Sequence, residues 1–121
     1  MQIDPISHRA MATRVANRRA PWKRIVRALQ ELAGAGAEFV RHSEKPWASV
    51  TFSGARHTIA LAFEGAEAME AADLFIAALP DHEFSLGDKL VADATVVSVE
   101  QTVLPSPRTL VEAELLILDD V

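Results

Sequence analysis

The spacing of hydrophobic residues changes from a period of two to a period of three or four in the middle of the chain. Ile59, Leu61 and Phe63 alternate with smaller residues, which is typical of one face of a β-sheet. Beyond them, apolar residues recur every three or four positions and predict a helix over 66–79, stopped by Pro80. This strand and the helix that follows it form the stretch around which the domain is organised.

The rest of the pattern predicts one more helix and four more strands. The helix spans 21–33 and the strands span 37–42, 47–52, 89–104 and 109–118, in addition to the strand over 57–63. Turns are predicted at 43–46, 53–56 and 105–108, where Pro, Gly and Ser concentrate. The order α-β-β-β-α-β-β predicts a single two-layer α+β domain over 21–121. Its antiparallel sheet should have about five strands, with the two main helices on one face.

Length and composition are typical of one globular domain with a true core. The chain has 121 residues, of which 50% are hydrophobic and 24% charged, and it contains no cysteine. No apolar run approaches the roughly 20 residues that span a bilayer, and no signal segment is evident. We therefore expect a cytoplasmic domain without disulfides, thiolate ligands or membrane contact.

Charge is distributed unevenly along the chain. Residues 1–30 contain seven bases and one acid, whereas residues 31–121 contain five bases and sixteen acids. Residues 1–20 are predicted to form a basic arm or a short helix. The seven bases of residues 1–30 are Arg9, Arg14, Arg18, Arg19, Lys23, Arg24 and Arg27. Because the acidic body would repel phosphate, an arm that docks on an acidic surface or is merely solvated is favoured over nucleic-acid binding.

Candidates for chemistry are few. The histidines lack the spacing of a metal-binding motif, so the sequence predicts neither a metal nor a cofactor, and no nucleophile motif is present. His57 at a strand end and His82 in a loop are the polar groups expected in any ligand pocket. Trp47 is interpreted as a cover for the second face of the sheet or as an interface anchor. Acids at 64, 67, 70 and 73 are interpreted as the solvated side of the second helix.

The last two strands predict self-association. Both lose their alternation, at 95–99 and at 115–118, so that apolar side chains point to both faces of the sheet. With the helices on one face, Val97 or Val99, Leu116 and Leu118 would form an exposed patch, which a second copy would cover.

These observations favour a non-catalytic binding or assembly domain that acts as a homodimer and has a possible protein partner. Two alternatives stay open. The first is a small enzyme or ligand-binding domain with a pocket between sheet and helices. The second is weak nucleic-acid binding through the basic arm, which ranks last.

Overall fold

The computed structural model describes residues 21–34 and 36–119, which form a four-stranded antiparallel sheet with two helices. The elements follow the order α-β-β-α-β-β: α1 (Pro21–Ala33), β1 (Ala37–Ala48), β2 (Ser53–Glu64), α2 (Ala66–Ala78), a short 3-10 turn (Leu79–Asp81), β3 (Leu90–Thr102) and β4 (Arg108–Leu118). The predicted arm over 1–20 lies outside the described residues.

The sheet has the strand order β1-β2-β4-β3. Two hairpins, β1–β2 and β3–β4, are joined in the centre by antiparallel pairing of β2 with β4. The connection through α2 carries the chain from β2 past β4 to the far edge. Gly65 begins this crossover with φ of 93°, a backbone conformation that favours glycine. As a result, β1 and β3 are the two edge strands.

Both helices pack on one face of the sheet, as the sequence predicted. Ile25 and Leu29 of α1 and Phe75 of α2 are at most 1% exposed and share one core with the strands. The central strands contribute the buried side chains of alternate residues, including Leu61 of β2 and Val111 of β4. The core therefore lies between the sheet and the helices.

The expectation of about five strands was wrong, because the predicted turn at 43–46 is part of one continuous strand. Pro46 lies within β1 and pairs with Ala55 of β2. The chain reverses instead at 49–52, where the amide of Phe52 donates to Oγ of Ser49. Proline cannot donate a backbone hydrogen bond, but an edge strand needs no donor on its outer side. The edge position of β1 thus allows a proline within the strand, where the sequence pattern predicted a turn.

The face of the sheet opposite the helices carries ion pairs between strands. Arg41 of β1 pairs with Glu112 of β4 across Ala60 of β2, which is in register with both. Nη1 of Arg56 lies 3.2 Å from Oε1 of Glu114 on the same face. The middle of this face is therefore polar at its surface.

The second helix presents its acids to solvent. Glu67, Glu70 and Asp73 are all exposed, which confirms the interpretation of this side as a solvated face. Glu64 is exposed as well, but it is the last residue of β2 and not part of the helix. Neither of the two described helices is long and apolar enough to cross a membrane.

Candidate functional site

A groove with a volume of about 590 Å³ opens at one end of the sheet, beside the start of α1. Its walls come from α1, from the β1–β2 hairpin, from residues 86–89 and from the end of β4. The titratable side chains of the lining are Arg24, Glu44, His57, Asp88, Lys89 and Asp119. Polar groups from separate parts of the chain thus converge on one concave surface.

The hairpin places two of these groups and a third neighbour together. His42 and Glu44 are two residues apart on β1, so both side chains point to the helix side of the sheet. His57 of β2 lies directly opposite Glu44 in the ladder, and Ile59 lies opposite His42. We call His42, Glu44 and His57 the histidine cluster.

The distances within the histidine cluster are short. Nε2 of His42 lies 2.8 Å from Nδ1 of His57, a hydrogen-bond distance between the two rings. Nε2 of His57 lies 4.0 Å from Oε2 of Glu44. One nitrogen from each histidine and one oxygen of Glu44 all lie within 4.8 Å of one another.

Trp22 and the core hold the two rings in place. The ring of Trp22 stacks on that of His42 with centroids 4.7 Å apart and planes inclined by 7°. The rings of His42 and His57 stack in turn, with centroids 5.1 Å apart. His57 is only 8% exposed, whereas His42 is half-buried and Glu44 faces solvent. The α1 helix therefore orients a site that the strands supply.

Burial controls the protonation of both rings. It lowers the pKa of His42, and the charge of Glu44 partly opposes that shift. Burial also lowers the pKa of His57, with Glu44 and Asp119 acting against it and His42 acting with it. The lowered pKa of each ring favours its neutral form, in which the N–H of one ring donates to the bare nitrogen of the other.

This arrangement offers neutral imidazole nitrogens and an ionised carboxylate beside a groove. Such groups can pass a proton between them, and they are also the donors that transition-metal ions prefer. Among the described residues, the histidine cluster is the one group of three or more such side chains close enough to share an ion.

A second candidate surface is the edge formed by β3 and the loop after it. Nine large hydrophobic side chains of the described chain are exposed, and five of them lie here. Their exposed fractions are 46% for Leu90, 51% for Val97, 44% for Val99, 69% for Val103 and 78% for Leu104. We call these five residues the β3 edge.

The structure separates the interface candidates that the sequence grouped together. Val97 lies at a register irregularity of β3 and is exposed. Leu116 is half-buried and Leu118 is buried, and both lie on the face opposite the helices. Trp47 is half-buried on that same face, opposite Gly54. Val97 is the exposed residue of these four.

The two histidines singled out from the sequence also differ in their surroundings. His57 lies in the groove, whereas His82 is exposed in a loop and its ring meets Phe84 edge-on at 4.6 Å. Lys23, Arg24 and Arg27 are exposed on α1, and Arg24 reaches the groove. The remaining bases of the arm (Arg9, Arg14, Arg18 and Arg19) lie outside the described residues.

Sequence reasoning missed His42 and Glu44 as partners of His57. The available signal was an alternating His-x-Glu on one strand with a histidine on the next. That signal can be recognised only when 37–48 is assigned to one strand. The predicted turn at 43–46 separated Glu44 from the strand that contains His42.

Comparison with known proteins assigns no family. No protein-family model matches the sequence, and no curated protein matches it. Among solved structures, one chain of the virion of a native gene transfer agent particle is similar, with a TM-score of 0.47 and 16% sequence identity. The similarity covers 77% of this chain and 83% of that chain. A likeness at this level assigns neither a family nor a function.

Proposed function

We propose that this protein is a non-catalytic assembly domain that forms a homodimer by pairing the β3 strands of two copies. The observation that carries the proposal is the concentration of exposed hydrophobic residues at the β3 edge. Long hydrophobic edge strands invite pairing with another strand, and soluble monomers commonly protect them. Pairing would cover these side chains and satisfy the free backbone groups of β3.

The opposite edge of the sheet is protected, which favours β3 as the interface. Strand β1 carries Glu38, Arg41 and Lys45, has a register irregularity after Phe39, and includes Pro46. Charge, irregularity and proline are the features that discourage pairing at a sheet edge. β3 has register irregularities of its own, but it carries no charge between Asp93 and Glu100.

A second copy is the occupant that the charge distribution supports. The chain has a formal net charge of −5, so two copies meet with least like-charge repulsion at a surface that carries no charge itself. The uncharged stretch 94–99 is such a place, and antiparallel pairing of one strand with itself closes with twofold symmetry. The result would be a continuous eight-stranded sheet without a hydrophobic edge.

The face of the sheet opposite the helices, its outer face, is a poorer interface than the sequence suggested. Ion pairs from Arg41 and Arg56 cross its middle, and Leu118 is already buried within one chain. Covering that face would remove charged groups from water, a cost that the small remaining apolar area would have to offset.

Light scattering after size exclusion, at micromolar concentration, tests the proposal. We expect the mass of a dimer for the unmodified chain and the mass of a monomer for Val97→Lys. The introduced charge would lie in the centre of the paired edge, and its side chain is exposed in the single chain, so folding should be kept.

Leu74→Lys is the matched control, because Leu74 is 67% exposed on α2, away from the β3 edge. It should leave the dimer intact. A monomer mass for the unmodified chain would refute the proposal. A dimer that persists in Val97→Lys and dissociates in Leu116→Glu would move the interface to the outer face.

A further inference from the structure

The histidine cluster combines buried imidazoles and a carboxylate in a way that the assembly proposal does not use. Two histidines and a glutamate at short range are a donor set of metal centres, in which three protein ligands leave one position open. We propose that His42, Glu44 and His57 bind a divalent transition-metal ion, with Zn²⁺ as the best-matched ion. This inference is independent of the homodimer.

The spacing of the donor atoms fits such an ion. Zn–N distances of about 2.0–2.1 Å and tetrahedral angles place two bound donors about 3.3 Å apart. In the histidine cluster Nε2 of His42 and Nδ1 of His57 are 2.8 Å apart, and one donor atom from each of the three residues lies within 4.8 Å of the other two. Side-chain rotations that move these donors by about 1.5 Å or less would complete the coordination geometry.

The contact between the rings shows that a bare nitrogen is available. A metal ion needs the bare nitrogen of an imidazole, and a hydrogen bond between two ring nitrogens requires one such nitrogen as its acceptor. In the hydrogen-bonded pair, a single proton lies between Nε2 of His42 and Nδ1 of His57. An ion would take its place between the rings, and the proton would move, by a change of tautomer, to the other nitrogen of the same ring.

The surroundings orient the ligands and favour a cation. The stacked ring of Trp22 orients His42, and the ladder pairing places the backbone of Glu44 opposite that of His57, before any ion arrives. The groove beside them contains three acids and two bases, so its lining is slightly negative. Oxygen-preferring ions such as Mg²⁺ are disfavoured, since two of the three donors are imidazole nitrogens.

The groove would supply access to the ion. Glu44 and His57 both line it, so the open coordination position would face a space of about 590 Å³. A water molecule, or an oxygen or nitrogen of a small ligand, would fill that position. A closed structural site would instead provide a fourth protein ligand, and the cluster provides three.

Calorimetric titration of the untagged full chain with Zn²⁺, after treatment with a chelator, tests the proposal. We expect one equivalent of Zn²⁺ to bind with a dissociation constant in the micromolar range or tighter. Loss of a residue that only orients a metal ligand costs about 10–100-fold in affinity. Replacement of a ligand, in His42→Ala, Glu44→Gln or His57→Gln, should therefore weaken binding by about 100-fold or more.

His82→Ala is the matched control, because His82 is exposed and lies outside the cluster. Its affinity for Zn²⁺ should equal that of the unmodified chain. Circular dichroism checks the fold of each variant. If His57→Gln does not fold, the decision rests on His42→Ala and Glu44→Gln, whose side chains are more exposed.

Fluorescence gives a second readout that locates the ion. In a Trp47→Phe chain all tryptophan emission comes from Trp22, which stacks on His42. Co²⁺ bound at the cluster should quench this emission at one equivalent, and His42→Ala should abolish the quenching. Two results would overturn the proposal: absence of saturable Zn²⁺ binding, or folded His42→Ala and Glu44→Gln variants that bind Zn²⁺ as tightly as the unmodified chain. Either result would show that the rings form only a structural hydrogen-bonded pair.

Discussion

Replacement of Phe75 by alanine should remove a large part of the stability of this domain. Phe75 is 1% exposed on the buried face of α2, and its ring lies 6.1 Å from that of Phe63, tilted by 41°. Phe→Ala changes in such positions cost about 3–5 kcal/mol, of which the aromatic pair accounts for about 0.5–1.5 kcal/mol. A chain of this length has a free energy of unfolding of about 6–18 kcal/mol. Phe75→Ala would therefore remove between about a sixth and most of the free energy of unfolding.

Urea denaturation followed by circular dichroism measures this loss. With a slope of about 1.5 kcal/mol per molar urea, the midpoint should fall by about 2–3 M. Glu70→Ala is the control, because Glu70 is exposed on the opposite side of the same helix and should change stability by at most about 0.5 kcal/mol. Similar losses in the two variants would refute the orientation of α2 on which the core is built.

Three further substitutions probe the packing of the sheet, each by the urea midpoint. Gly54→Ala should cost about 3 kcal/mol or more, because an added Cβ would overlap the backbone of Ile117. Gly36→Ala is the control and should be tolerated, since the nearest atom to its added Cβ lies 3.7 Å away. Equal effects of the two substitutions would contradict the close approach of β2 to β4. Thr109→Val should stabilise by about 1–2 kcal/mol, since the buried hydroxyl has no hydrogen-bond partner among the described residues; a loss would mean that the hydroxyl is bonded. Ala72→Leu should cost about 1–3 kcal/mol by overpacking a side chain that is fully buried, and a neutral result would indicate space between α2 and the sheet.

The helices were predictable because their signals are local. The periodicity of α1 and the proline at its first position gave the bounds Pro21–Ala33 that the structure has. The helical period of α2 likewise gave its start, and Pro80 falls in the 3-10 turn that follows it. Side chains three and four residues apart must share a face of a helix, so the buried side of each helix also followed from the sequence.

The course of β1 was not predictable from its own residues. Pro46 within Ser-Glu-Lys-Pro has the composition of a turn, and it belongs to a strand only because β1 lies at the edge of the sheet. Strand order is decided by which hydrophobic faces pair after the chain collapses. A local pattern carries no information about which strand will have a free edge.

The histidine cluster, too, was predictable only in part from the sequence. The sequence identified His57 but not its partners, since the contact between His42 and His57 depends on the register of the hairpin and on the position of Trp22. A shift of one residue in that register would turn one partner to the opposite face of the sheet. The sequence by itself determined the fold class, both helices and the apolar character of β3 and β4. Only the tertiary structure decided which strand has an open edge and which side chains meet in the groove, because both depend on pairing between residues that are distant in the chain.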